Sequence, residues 1–219
     1  MVKILFMASG NGGTMKFIHQ AIQSLHLDFE ISAVLTDRHC GASEYSTKCN
    51  IPIYVYDKWR EQTNEIISNI TEIKPDIVIT NIHKILPPEI FNCCNAQFIN
   101  LHYSLLPAFG GVIGFKTLEL AKAANTQIIG ATCHFVTEEV DAGKVIAQAA
   151  IPVDWNEDFD AIGNMIFRVA CEVILNGLLI ITDKELEKYQ KQVDIIYSPL
   201  LRYDNGVFDD EFWRIIKEL

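Results

Sequence analysis

Short runs rich in β-branched and other apolar residues recur along the chain, separated by longer segments in which apolar positions return every three or four residues. The first pattern suits buried strands and the second amphipathic helices, so their alternation predicts βαβ units around a mostly parallel sheet. Strands are predicted over Lys3–Met7, Ile31–Thr36, Ile53–Tyr56, Ile77–Thr80, Gln97–Leu101 and Gly130–Phe135. Helices are predicted over Thr14–Leu25, Trp59–Glu72, Pro88–Cys93, Gly114–Ala124 and Asp158–Ile181. Pro75 pushes the residue before it out of helical geometry, so the helix entered at Trp59 must stop there and turn into the strand at Ile77.

From Gly130 the order changes. The runs Ala131–Val136 and Lys144–Ala149 are both extended and are joined by an acidic loop containing a glycine, which predicts a hairpin-like pair closing the sheet. The remainder is mixed: a charged helix over Lys184–Lys191, a stretch with Pro, Asn and Gly over Ser198–Gly206, then the aromatics Phe208, Phe212 and Trp213. With no internal repeat and no interdomain linker, the expected organisation is one α/β domain over 1–182 and a C-terminal appendage over 183–219 packed on it.

Composition narrows the class. The chain has 219 residues and 18 Lys+Arg against 28 Asp+Glu, a formal charge of −10, which argues against a nucleic-acid-binding surface. Six scattered cysteines, none in a Cys-x-x-Cys pair, read as reduced thiols, and neither they nor His19, His26, His39 and His134 have metal-ligand spacing. The first apolar run is too short for a secretory leader, and the run Val173–Ile181 is shorter than a bilayer crossing. The expectation is a cytoplasmic protein without metal or membrane partner.

Three segments carry candidate chemistry. Ser9-Gly10-Asn11-Gly12-Gly13-Thr14 joins the first strand to the first helix, where converging N–H groups and the helix dipole favour an anion. It lacks the G-x-G-x-x-G spacing of a dinucleotide site and the Gly-Lys-Ser/Thr of a P-loop, and a ligand-free tight turn fits the segment equally well. Asn100 and His102 stand two apart at the end of an apolar strand and so share a face. An amide and an imidazole aimed at one spot can hold an oxyanion and manage a proton, although strand-end Asn and His also commonly satisfy turn backbone. Thr137–Gly143 offers three carboxylates. Asp141 among them could pair with His102 and raise its pKa, whereas a solvated acidic turn is the plainer alternative.

Taken together, Ser-Gly-Asn-Gly at the first turn, Asn100-x-His102 followed by Ser104-Leu105-Leu106-Pro107, and His134-Phe135-Val136-Thr137-Glu138-Glu139-Val140-Asp141-x-Gly143 resemble the glycinamide ribonucleotide formyltransferase group of folate-dependent formyltransferases, over about residues 1–182. The resemblance implies a Rossmann-like formyltransferase fold, 10-formyltetrahydrofolate as co-substrate and a small phosphorylated amine as acceptor. It puts the catalytic set on Asn100, His102 and Asp141 and the substrate phosphate on Gly12, Gly13 and Thr14. It puts the folate on His83, Lys84, Ile85 and Leu86 and on Val136, Thr137, Glu138, Glu139 and Val140, with no metal.

The departures bear on the acceptor. Tyr103 stands where the purine-pathway enzymes usually have Pro, Gly110-Gly111 where they have Pro-Gly, Thr14 where Asn is common and Lys84 where Arg is common. The usual acceptor-binding Glu is matched by Cys171 or by Glu172. Glycinamide ribonucleotide is the first candidate acceptor and an amino-sugar nucleotide the alternative. A non-catalytic binder of phosphorylated metabolites is a further alternative. An NAD-dependent dehydrogenase is disfavoured by the missing fingerprint, Asp37 being the nearest candidate for its ribose acid.

Overall fold

The computed structural model describes residues 1–186 and 195–218, which divide into two compact units. The first holds Met1–Ile99 and Asp210–Leu219 and the second Asn100–Asp209. The first unit begins with β1 (Val2–Ala8), whose residues Ile4 to Met7 are fully buried, followed by α1 (Gly13–Ser24), β2 (Phe29–Thr36) and α2 (Gly41–Lys48). Next come β3 (Ile53–Val55), α3 (Thr63–Ile73), β4 (Ile77–Asn81), the short α4 (Pro88–Asn92) and the start of β5 (Gln97–His102).

Strand β1 pairs in parallel with both β2 and β4, β3 adds outside β2, and β5 joins β4 from Ile77↔Gln97 to Ile79↔Ile99. A parallel strand with neighbours on both sides and helices over its faces has no polar side to show. Continuous apolar runs, not alternation, are therefore what the sequence displays here. Helix α2 is absent from the sequence-based expectation. It is opened by Ser43, whose hydroxyl takes the Cys40 N–H at 2.9 Å and gives a bond to the Cys40 carbonyl at 2.7 Å.

The second unit contains the end of β5, then α5 (Lys116–Ala123), β6 (Ile128–Phe135), β7 (Val145–Pro152), α6 (Phe159–Ile181) and β8 (Ile196–Ser198). Strands β6 and β7 form the expected antiparallel pair, from Ile128↔Pro152 to His134↔Val145 with a register shift between Cys133 and His134, and β8 adds antiparallel to β7. The strand order is β3-β2-β1-β4-β5-β6-β7-β8 in a mostly parallel sheet, which bears out the expected α/β class.

Helix α6 packs on β6 and β7, and its Gly177 leaves the space that the Cys133 thiol fills. By length and composition this helix could cross a bilayer, yet 67% of its most apolar window is buried inside the protein. Its apolarity is spent on the core. Beyond it, Asn176 Nδ2 donates to the Pro199 carbonyl at 3.2 Å and its Oδ1 accepts from Arg202 N–H at 3.0 Å, so the chain after β8 is held to α6. The last helix, α7 (Asp210–Glu218), belongs to the first unit: Trp213 stacks on Phe17 of α1 at 5.3 Å and Phe212 meets the same ring edge-on at 5.8 Å. The charged helix expected over Lys184–Lys191 falls mostly on residues 187–194, outside the described residues.

Candidate active site

The end of β5 places Asn100 and His102 on one face, and His102 is 6% exposed. Immediately afterwards the chain leaves the strand and is tied down by polar contacts. Ser104 Oγ donates to the Ala108 carbonyl. Thr132 Oγ1 of β6 donates to the Ser104 carbonyl at 2.6 Å and accepts the Leu106 N–H at 3.1 Å. Gln148 of β7 adds bonds to the Leu106 carbonyl and to Thr132 Oγ1. A fully buried threonine and a glutamine thus replace the ladder bonds that the turn cannot make.

Asp141 reaches His102 from the loop between β6 and β7. Its Oδ2 lies 3.3 Å from His102 Nδ1 and accepts the Gly111 N–H at 2.7 Å, while its Oδ1 lies 3.5 Å from Nε2 of His134. The loop can return so tightly because residue 143 is glycine: a Cβ there would run into the Phe135 carbonyl. His134, buried in β6, turns its Nδ1 to the Phe135 carbonyl at 2.9 Å. The result is a carboxylate between two imidazoles. From the sequence, His134 has no metal-ligand spacing and no place in the catalytic set. It sits against Asp141 because β6 ends on the same face as that loop, a proximity that only the folded hairpin creates.

The electrostatics differ from the sequence expectation in one respect. Burial pulls the His102 imidazole below its ordinary value. Asp141 and the Phe109 carbonyl pull upward, as expected of the carboxylate, but burial wins, and nearby His134 adds to the fall. For Asp141 burial opposes the anion. The His134 ring, the Gly111 N–H and His102 together outweigh it and hold the carboxyl below its usual range. Asp141 is therefore held as the anion, and burial weakens the imidazolium that its charge would otherwise favour at His102. His102 Nε2 is engaged by the Phe109 carbonyl at 3.0 Å.

The other candidate residues lie where the motifs put them along the chain. Gly12 takes the N-cap of α1 at φ +68, where a Cβ would come within 2.8 Å of Ala42, Gly13 opens the helix, and Thr14 is buried. No side chain caps this helix N-terminus. His83, Lys84 and Ile85 are exposed and Leu86 is buried, in a segment without helix or strand. In the loop after β6, Thr137 Oγ1 donates to the Glu139 carbonyl, Glu138 and Glu139 point to solvent with Val140, and Val136 is half-buried.

Further positions named from the sequence are already engaged within the protein. Asp37 is not free to meet a ribose: it is 4% exposed and held by Ser9, Arg38 and Lys84. Cys171 is fully buried, and Glu172 is 8% exposed with its carboxylate bonded by the Tyr197 hydroxyl and by Asn205 Nδ2. Neither offers a carboxylate to an incoming amine. Among the described residues no group of three or more His, Cys, Asp or Glu is arranged to hold a metal ion.

A strand-end amide and imidazole thus lie beside a carboxylate on an α/β scaffold, a set of groups able to hold an oxyanion and move a proton. Residues 2–178 match the formyl transferase family, and the chain belongs to it.

Among its relatives, phosphoribosylglycinamide formyltransferase of Vigna unguiculata is 28% identical over 164 residues, which cover 71% of this chain and 53% of that protein. Formyltetrahydrofolate deformylase of Haemophilus influenzae is 35% identical over 140 residues, covering 62% of this chain and 49% of that one. The crystal structure of phosphoribosylglycinamide formyltransferase from Bacillus halodurans superposes with a TM-score of 0.75 at 25% identity, over 83% of this chain and 96% of that one. The chain spans about half the length of the first two of these relatives.

Proposed function

We propose that the protein transfers the formyl group of 10-formyltetrahydrofolate to the primary amine of a small phosphorylated acceptor, with glycinamide ribonucleotide the first candidate and purine biosynthesis in the cytoplasm the setting. The observation that carries the reading is Asp141 set 3.3 Å from His102 in a chain whose formyl-transferase match covers residues 2–178. The amine attacks the formyl carbon directly and charge gathers on the formyl oxygen. That oxygen takes the place of the Phe109 carbonyl at His102 Nε2 and receives a second bond from the Asn100 amide, each donor contributing about 3–4 kcal/mol in the transition state.

Asp141, ionised and already surrounded by donors, receives the amine proton through a water. As the intermediate collapses, the bond from the formyl carbon to folate N10 breaks and Asp141 returns the proton through the water to N10, leaving tetrahydrofolate and the formylated amine. The acceptor's phosphate docks on Gly12, Gly13 and Thr14, where the capless helix N-terminus offers N–H groups and a dipole. Ile85 at 78% and Val140 at 57% exposure are apolar side chains on the two folate segments, and main-chain groups beside them suit a pterin's alternating donors and acceptors.

The 35% identity to a formyltetrahydrofolate deformylase supports a second reading, in which water replaces the amine. One experiment separates them. Purified protein is given 10-formyltetrahydrofolate with glycinamide ribonucleotide, an amino-sugar nucleotide, simple amines or no amine, and tetrahydrofolate, formate and formylated product are followed. Product formed only with a phosphorylated amine supports the transferase. Formate released at the same rate without amine assigns the deformylase. No turnover in any arm refutes both.

A further inference from the structure

The segment His83–Leu86 raises a physical question that its own residues do not answer. It has no helix or strand to fix its backbone, and its central apolar side chain, Ile85, is 78% exposed. What holds it is a chain of polar contacts leading inward. The His83 N–H donates to Ser9 Oγ at 3.0 Å, and Ser9 Oγ donates its single proton to Asp37 Oδ1 at 2.9 Å. Ser9 is itself fixed, its N–H directed to the Asn81 carbonyl at 3.3 Å. A second tether runs from Lys84 Nζ to Asp37 Oδ2 at 3.6 Å.

Asp37 is an anchor held from several sides. It follows the last residue of β2, its side chain is wholly buried, and Arg38 grips it by two bonds, Nε to Oδ1 at 3.1 Å and Nη2 to Oδ2 at 2.7 Å. Burial works against its charge, but the bonds from Arg38 and Ser9 and the charges of Arg38 and Lys84 prevail and keep the carboxyl below its usual range. An ionised carboxylate fixes the direction of the relay: Ser9 must donate to it, which leaves the serine oxygen as an acceptor for His83 N–H alone. Neither the catalytic chemistry nor the phosphate turn uses this group.

We infer that Asp37 is a positioning residue for folate recognition, holding the His83–Leu86 backbone through Ser9 and Lys84 in the shape that receives the pterin. The inference rests on the folate reading above. Loss of the relay frees the segment to sample other backbone shapes, so the pterin must order it on binding and affinity falls.

The test uses 5-formyltetrahydrofolate, a stable folate, as the calorimetric probe on the whole chain. Asp37→Asn removes the charge at constant shape, Ser9→Ala removes the relay, and Ser9→Thr restores a hydroxyl. The expected result is wild-type binding weakened about tenfold in Asp37→Asn and Ser9→Ala, recovered in Ser9→Thr, with the acceptor KM and the melting temperature of Asp37→Asn little changed. If the wild type binds and both variants bind equally well, the inference is overturned while the folate reading stands. The same holds if folate affinity, acceptor KM and melting temperature all fail together, since that is a merely structural role. If the wild type does not bind the probe, the folate reading itself fails and the inference with it. Should Asp37→Asn not fold, the Ser9 pair decides.

Discussion

Replacing Glu172 by Gln should change how stability depends on pH, by an amount the structure allows to be worked out. Glu172 lies on α6 at 8% exposure; burial pushes its carboxyl up to about 6 from an ordinary 4.5, against the bonds from Tyr197 and Asn205 and the charge of Arg168. A carboxyl raised on folding stabilises the native state fully below its unfolded value, and that contribution is lost as pH rises through the folded value. The window is therefore about pH 4.5 to 6. One and a half pH steps at about 1.4 kcal/mol each give about 2 kcal/mol lost by the wild type across it.

Gln keeps the shape and cannot ionise, so the variant escapes the loss whatever fixed cost the swap carries. Urea unfolding of both proteins at intervals from about pH 4 to pH 7.5 should show the stability difference moving in favour of Glu172→Gln by about 2 kcal/mol, or about 4–8 °C in melting temperature for a chain of this size. A difference that stays flat with pH would refute the argument that this acid titrates from within the folded core. A difference moving the other way would mean that Tyr197 and Asn205 favour the anion more than burial opposes it.

Asn100→Ala and His102→Ala should each lower kcat by about two to three decades with far-ultraviolet dichroism unchanged, because their bonds reach a charge present only in the transition state; wild-type turnover in either removes the site. Gly13→Asp should raise the acceptor KM strongly while sparing folate affinity, since it sets a fixed negative charge at the phosphate turn; an unchanged acceptor KM would move the phosphate elsewhere. Gly143→Ala has no room beside the Phe135 carbonyl and should cost about 1–3 kcal/mol in chemical denaturation, together with activity, as the loop carrying Asp141 shifts; a fully stable, active variant would contradict the packing.

The central parallel strands β1 and β4 were legible because their burial writes a nearly unbroken apolar run into the sequence. Helix α2 was not: Gly-Ala-Ser-Glu-Tyr-Ser-Thr-Lys combines weak helix formers with few apolar residues, and its start depends on Ser43 reaching back to Cys40. Strand β8 is three residues long and gains its meaning from pairing with β7, a contact no local pattern encodes. At the site, the two-residue spacing of Asn100 and His102 and the Asp-x-Gly loop could be read directly. The approach of His134 to Asp141 could not, because it arises from a hairpin return. The direction of the His102 shift is hidden from the sequence for a related reason. A charge pair is visible in sequence, but the depth of burial that outweighs it is not.

Both of His102's partners sit on backbone that side chains resist. Phe109, whose carbonyl meets Nε2, has φ +58, and Asp141, whose carboxylate faces Nδ1, has φ +55. Each left-handed residue other than glycine costs about 1–2 kcal/mol, although Asp tolerates the region better than Phe. Variation selected for thermal endurance alone will therefore drift toward Gly or Asn at position 109. It will be rewarded there for loosening the frame around the imidazole. A bulky residue at position 109 thus costs the folded state stability that Gly or Asn there would return.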